Sequence, residues 1–160
     1  MNILFICLGN ICRSPMAEGA MKKILENLHI ADEHFVDSCG FESYHLGEAP
    51  YKMAQQTAWK HNIDISRQRQ RLFSQTDFDS FDRIFIMDSN NYRLVNQQKR
   101  TETDMQKVNY LYNMVKPKQN ISIPDPWGGT YQDFELAFDM IWQACLKIGE
   151  NLLAEQDKQQ

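Results

Sequence analysis

The first fifteen residues constrain this chain more than any other stretch. Asn2-Ile3-Leu4-Phe5-Ile6 is an apolar, β-prone run that ends at Cys7, and Leu8-Gly9-Asn10-Ile11-Cys12-Arg13-Ser14-Pro15 continues as a loop opening into a helix. Five residues separate Cys7 from Arg13, enough for a backbone to curl around one tetrahedral oxyanion with a thiol beneath it and a guanidinium beside it. Ser14 is a suitable N-cap, and Pro15 suits the first helical position, where its missing N–H is not needed. The helix then aims its positive end at the loop.

A thiol is a weak nucleophile until it ionises. Converging loop N–H groups, the helix N-terminus and the full charge of Arg13 all favour the Cys7 thiolate. Gly9 permits positive φ, Asn10 tolerates it, and the Asn10 side chain can hold neighbouring backbone in place. Arg13 presents a planar fork that bonds two phosphoryl oxygens at once and follows them as they flatten, which a lysine could not do. Phosphoryl transfer is mostly positioning and charge stabilisation, so the part still required is an acid for the leaving group. Asp125, in Ile123-Pro124-Asp125-Pro126-Trp127, is the candidate. The prolines fix the backbone on either side, and Trp127 can shield the carboxyl and stack on an aromatic substrate. A partly buried carboxyl beside a bound dianion holds its proton more readily, as an acid working near neutrality must. The same group would then activate water against a phosphocysteine.

The remaining chain alternates helix and strand. Ala17, Ala20, Met21, Ile24 and Leu28 give the first helix an apolar face, and His34 to Cys39 reads as a second strand closed by Gly40. Glu48 to His61 suits a second helix, entered through Gly47 and Pro50. Arg83-Ile84-Phe85-Ile86-Met87 reads as a strand buried on both faces. Asp88 caps a polar helix running to about Lys99, and Val108 to Leu111 is a fourth strand. Residues 113 to 131 hold three prolines and two glycines, which predicts a long functional loop. Phe134, Phe138, Ile141, Trp142, Cys145, Ile148 and Leu152 trace a final helix before a polar tail. The pattern predicts a single-domain α/β fold, an open sheet with helices on both faces, whose ligands sit at the carboxyl ends of the strands. Cys7, Ser38 and Asp88 fall at such ends.

Composition narrows the function. With 160 residues and 42% hydrophobic content, one domain over residues 1–154 and a frayed tail over 155–160 are expected. A formal charge of −4 offers no footprint for nucleic acid. No apolar stretch approaches membrane-spanning length, so neither membrane insertion nor export is expected. Without export, Asn120-Ile121-Ser122 is no glycosylation site. Four cysteines at irregular spacing suit a reducing cytoplasm better than a disulfide scaffold. His29, His34, His45 and His61 lack metal-ligand spacing and read as structural or surface residues. Cys39 and Cys145 read as packing residues. Cys12 is either a redox partner that traps Cys7 as a disulfide or a small loop residue. The Arg67, Arg69 and Arg71 run reads as a solvated face in preference to a lure for phosphorylated partners.

Cys7-Leu8-Gly9-Asn10-Ile11-Cys12-Arg13-Ser14-Pro15 resembles the N-terminal phosphate-binding loop of the low-molecular-weight protein-tyrosine-phosphatase family. Asp37-Ser38-Cys39-Gly40, Met87-Asp88-Ser89-Asn90 and Asp125-Pro126 are further matches, in the family's order. The resemblance implies a four-stranded parallel sheet of the phosphotyrosine protein phosphatase I-like, Rossmann-like type. It implies Cys7 as nucleophile, Arg13 as phosphate clamp, Asp125 as general acid and base, and Ser14 as a hydroxyl steadying the thiolate. Substrate would meet Leu8, Gly9, Asn10, Ile11, Cys12 and Ser14, with Tyr44 and Trp127 as aromatic walls. No metal or organic cofactor is implied. Tyrosine-phosphorylated proteins are the implied substrates, of a monomer with at most weak self-association. Trp127-Gly128 stands where the family often has two tyrosines, and residues 66–71 stand where it often has a histidine and an alanine-arginine pair.

Three other readings use the same loop. Arsenate reduction needs two further cysteines acting in succession, and Cys39 and Cys145 do not resemble such a pair. A phosphate-binding or redox-sensing module would hold an anion without turnover. A phosphocysteine carrier would lack the Arg13 position and the late Asp-Pro acid.

Overall fold

Ile3, Leu4, Phe5 and Ile6 are each fully buried, so the strand they form has protein on both faces. The computed structural model describes residues 1–158. Its strands are β1 (Asn2–Ile6), β2 (Phe35–Cys39), β3 (Arg83–Ile86) and β4 (Val108–Tyr110). They form one parallel sheet in the order β2-β1-β3-β4. The helices are α1 (Arg13–Asn27), α2 (Lys52–Lys60), α3 (Asp77–Ser80), α4 (Ser89–Gln98), α5 (Glu102–Met105) and α6 (Tyr131–Asp157).

The two-residue period of β1 divides the core. Ile3 and Phe5 join Met16, Ala20 and Ile24 of α1, Ala54 and Ala58 of α2, and Phe134, Phe138, Ile141 and Ile148 of α6. Leu4 and Ile6 face the opposite way, onto Phe78 of α3, Val95 of α4 and Ile84 and Ile86 of β3. Each large side chain gains about 1.5–3 kcal/mol by leaving water, which commits the helices to opposite faces. The chain leaves β1 towards β2 on one side and β3 on the other, and the carboxyl end of β1 therefore opens a crevice at the switch point.

Several boundaries differ from expectation. The second helix begins at Lys52, not Glu48, because Pro50 disfavours helical backbone in the residue before it and Glu48 lies in a turn closed by its N–H to His45 O at 2.8 Å. The short helices α3 and α5, and the 3-10 turns Ala31–Glu33 and Leu111–Met114, are too brief to leave a periodic signal. Thr130 and Asp133 form a capping box that starts α6. That helix runs on to Asp157, past the expected domain end at 154 and into the segment expected to fray; the last two residues of the polar tail, 159 and 160, lie outside the described residues. No helix among the described residues is long and apolar enough to cross a membrane.

Candidate active site

Cys7 follows β1 directly, and its N–H donates to Cys39 O at 3.4 Å, extending the register of β2. The loop then turns through Asn10, whose φ of 51° is left-handed. Gly9 does not take up positive φ, contrary to expectation. Asn10 accepts that conformation because its side chain is bonded on every side. Its Nδ2 donates to Ser14 Oγ at 2.9 Å and Ser38 Oγ at 3.0 Å, and its Oδ1 accepts from the Arg71 N–H at 3.1 Å. Leu8 O accepts from the Phe41 and Glu42 N–H groups at 2.8 and 3.2 Å. Gln70 Nε2 bridges Gly9 O and Glu42 O. Gly40 is required where these segments meet, since a Cβ there would lie 2.8 Å from both Asn10 N and Leu8 O.

Ser14 is not the N-cap. The helix starts one residue earlier, at Arg13, with Cys12 in the cap position and no side-chain cap bond. The Ser14 hydroxyl is occupied elsewhere. It accepts from Asn10, which leaves its own hydrogen to Cys7 Sγ at 3.1 Å or Cys39 O at 3.4 Å. The polar chain runs back from Asn10 through Ser38, which donates to Glu18 Oε2 at 2.6 Å, to Lys22 Nζ on Glu18 Oε1 at 2.5 Å. Burial raises the Glu18 carboxyl above its ordinary pKa, and the hydrogen bonds from Lys22 and Ser38 oppose that only in part.

Arg13 is 2% exposed and enters the crevice from the first turn of α1. One edge of its fork is fixed: Nη1 donates to Asp88 Oδ2 and to Ile123 O, both at 2.8 Å. Its Nη2 points to Asp125 Oδ2 at 3.6 Å. Burial opposes the charge, but Cys7, Asp125 and Asp88 outweigh it and hold the guanidinium pKa above its ordinary value. Asp88 also caps α4 by accepting from the Asn91 N–H at 2.8 Å. Its place at the end of β3 is its signal in the sequence, which carries no sign of its role towards Arg13.

Asp125 is carried on the irregular segment between β4 and α6 and is half exposed. Its Oδ1 accepts from the Trp127 N–H at 3.2 Å. Trp127 packs against Tyr51 at 4.7 Å between centroids and lies 6.2 Å from His45. Cys7, Leu8, Gly9, Ile11, Cys12, Arg13, Tyr44, Asp125 and Trp127 all line one cavity of about 310 Å³. Asn10 and Ser14, also expected to meet substrate, are buried outside the cavity lining, and their side chains brace the loop. Two unforeseen residues complete the walls, Glu42 and His45. His45 Nδ1 lies 2.9 Å from Glu48 Oε2; neither residue sits in a local motif that announces a site.

Burial, then Cys7 and Asp125, push the pKa of Cys12 up, and Arg13 opposes them more weakly. Cys39 and Cys145 are fully buried, in the clusters on opposite faces of the sheet. The three arginines of residues 67–71 diverge. Arg71 pairs with Asp37 at 2.8 Å and Asp77 at 3.1 Å, Arg69 folds onto the carbonyls of Ser66 and Gln68, and Arg67 is exposed. The segment therefore supports the loop, through Gln70 and the Arg71 backbone, more than it presents charge to partners.

The family model described as "Low molecular weight phosphotyrosine protein phosphatase" matches residues 2–159. A protein of that name from Rattus norvegicus is 31% identical over 144 residues, 90% of each chain. Among solved structures, a protein tyrosine phosphatase from Entamoeba histolytica superposes with a TM-score of 0.88 at 32% identity, covering 99% of both chains. A Drosophila arginine phosphatase superposes at 0.86 with 30% identity, covering 95% of this chain and 98% of that one. With its parallel sheet, its cysteine loop and the match along nearly its whole length, the chain belongs to the low molecular weight phosphotyrosine protein phosphatase family, a family of hydrolases.

Proposed function

We propose that this phosphatase hydrolyses protein phosphotyrosine through a phosphocysteine intermediate. One observation carries the reading: Cys7, Arg13 and Asp125 line a single cavity, with Arg13 Nη2 3.6 Å from Asp125 Oδ2. The Cys7 thiolate attacks phosphorus as the bond to the tyrosyl oxygen breaks, and Asp125 gives its proton to that oxygen. Arg13 keeps Nη1 on Asp88 and turns the rest of its fork to the phosphoryl oxygens, where charge builds. Water then attacks the thiophosphate, with Asp125 as base, and Cys7 leaves as thiolate. Leu8, Gly9, Ile11 and Cys12 cradle the oxyanion, Asn10 and Ser14 hold the cradle in shape, and Tyr44 and Trp127 flank the aryl ring.

The reading includes a cytoplasmic setting and action as a monomer without metal or cofactor. Arsenate reduction by thiol relay fits poorly, because Cys39 and Cys145 are both inaccessible. A phosphoarginine substrate is the second reading, carried by the similarity to the Drosophila arginine phosphatase. The test compares kcat/KM for matched phosphotyrosyl, phosphoarginyl and phosphoseryl peptides. Phosphotyrosine is expected to lead by at least about tenfold, a margin of roughly 1.4 kcal/mol in transition-state binding. A lead for phosphoarginine would replace the first reading with the second.

A further inference from the structure

We propose that Glu42 is a specificity residue that selects phosphotyrosine sites with a lysine or arginine beside the phosphorylated residue. The inference rests on the tyrosine-phosphatase reading and adds the chemistry of the flanking sequence.

Glu42 stands on the cavity wall with Cys7 and Arg13. Its backbone is held on both sides, by its N–H on Leu8 O at 3.2 Å and by Gln70 Nε2 on its carbonyl. Its Oε2 lies 3.9 Å from where a Cβ on Gly9 would sit, against the middle of the phosphate loop. The basic side chains around the cavity already have partners. Arg13 faces Asp88 at 2.8 Å and Asp125 at 3.6 Å, and His45 faces Glu48 at 2.9 Å. Among the described residues, no cation comes within ion-pair distance of Glu42.

A phosphate dianion entering this cavity therefore meets an uncompensated carboxylate at its rim. The backbone clamp keeps Glu42 at this rim, so a cation that the substrate brings would find its carboxylate there without an ion-pair partner. A basic side chain next to phosphotyrosine would reach the rim while the aryl phosphate reaches Cys7. An acidic neighbour would add a second repulsion.

The experiment uses three phosphotyrosyl peptides, identical except for arginine, alanine or glutamate on both sides of the phosphotyrosine, with the wild-type chain and Glu42→Gln. The wild type is expected to rank them arginine, alanine, glutamate, about three- to fivefold apart per step, as a partly exposed ion pair provides. The difference should lie in KM rather than kcat, and it should shrink as salt rises. In Glu42→Gln the ranking should collapse to within about twofold. A ranking that survives the substitution, or a wild type that prefers glutamate, overturns the role of Glu42. A wild type that cleaves none of the three but cleaves a phosphoarginyl peptide overturns the tyrosine reading instead.

Discussion

The loop from Cys7 to Ser14 and the segment that carries Asp125 face each other across one cavity, but they are held in opposite ways. The loop is buried and bonded from three directions: by Asn10 to Ser14, Ser38 and Arg71, by Gln70, and by the N–H groups after Gly40. The acid segment is anchored at Ile123, whose N–H meets Met87 O at 2.9 Å and whose carbonyl meets Arg13 at 2.8 Å. Beyond that it rests on its own turn, with the Gly129 N–H on Pro126 O at 2.9 Å, and on the packing of Trp127 against Tyr51. In the proposed mechanism, making a bond to phosphorus needs fixed atoms around the oxyanion, whereas delivering a proton tolerates a carboxyl that adjusts to each leaving group.

The largest break is Cys7→Ser, which should reduce hydrolysis of p-nitrophenyl phosphate to background while leaving the thermal midpoint nearly unchanged, because a serine hydroxyl fits the space beside Ser14. Residual turnover above background would contradict the covalent route. Next come two alanines, one packed against the loop and one within the acid segment. Gly40→Ala forces its Cβ to within 2.8 Å of Asn10 N and Leu8 O, so it should cost about 1–3 kcal/mol and lower kcat by at least about tenfold. Gly128→Ala meets no atom but must hold a φ of 76°, which costs a similar 1–3 kcal/mol of local strain. Because that strain falls in the adjustable segment, kcat should change by less than about threefold. Paired kinetics and urea midpoints separate the two.

Trp127→Ala should act on KM. Losing this aromatic wall should raise KM for phosphotyrosine several-fold, and losing its packing against Tyr51 should lower stability by about 0.5–1.5 kcal/mol. The smallest effect lies at the far end of the loop's polar chain. Glu18 is raised by burial from an ordinary value of 4.5, so its contribution to stability is full below that pH and is lost as the pH climbs through its folded value. Glu18→Gln should therefore flatten the fall in urea midpoint above pH 4.5; an unchanged slope would show that another group titrates there.

The same contrast governs how much of the site is legible in the amino-acid sequence. The Cys7 loop is legible because its parts lie within fifteen residues: an apolar strand, a five-residue spacing and a helix start. Asp125 is legible through its prolines and through the acid that Cys7 chemistry demands. Ser14 reads wrongly as a cap because its hydroxyl answers to Cys7 and Asn10, a local choice that helix-start statistics do not contain. Gln70, Glu42 and His45 reach the site from other elements, and each by itself reads as an ordinary surface or turn residue, whereas Asp88 is legible as a strand end and helix cap but not as the partner of Arg13. The sheet is legible from its apolar runs, whereas the start of α2 is displaced by Pro50.

The division between a rigid bond-making half and a proton-delivering half is tested most directly by the leaving group. The measurement is the pre-steady-state release of phenol from p-nitrophenyl phosphate and from a phosphotyrosyl peptide, by the wild type and by Asp125→Ala. The nitrophenolate departs with little protonation, so its burst should survive the substitution, while release of tyrosine should slow by about 10²–10⁴-fold. Equal slowing of both would mean that Asp125 organises the site instead of supplying the proton, and would contradict the division.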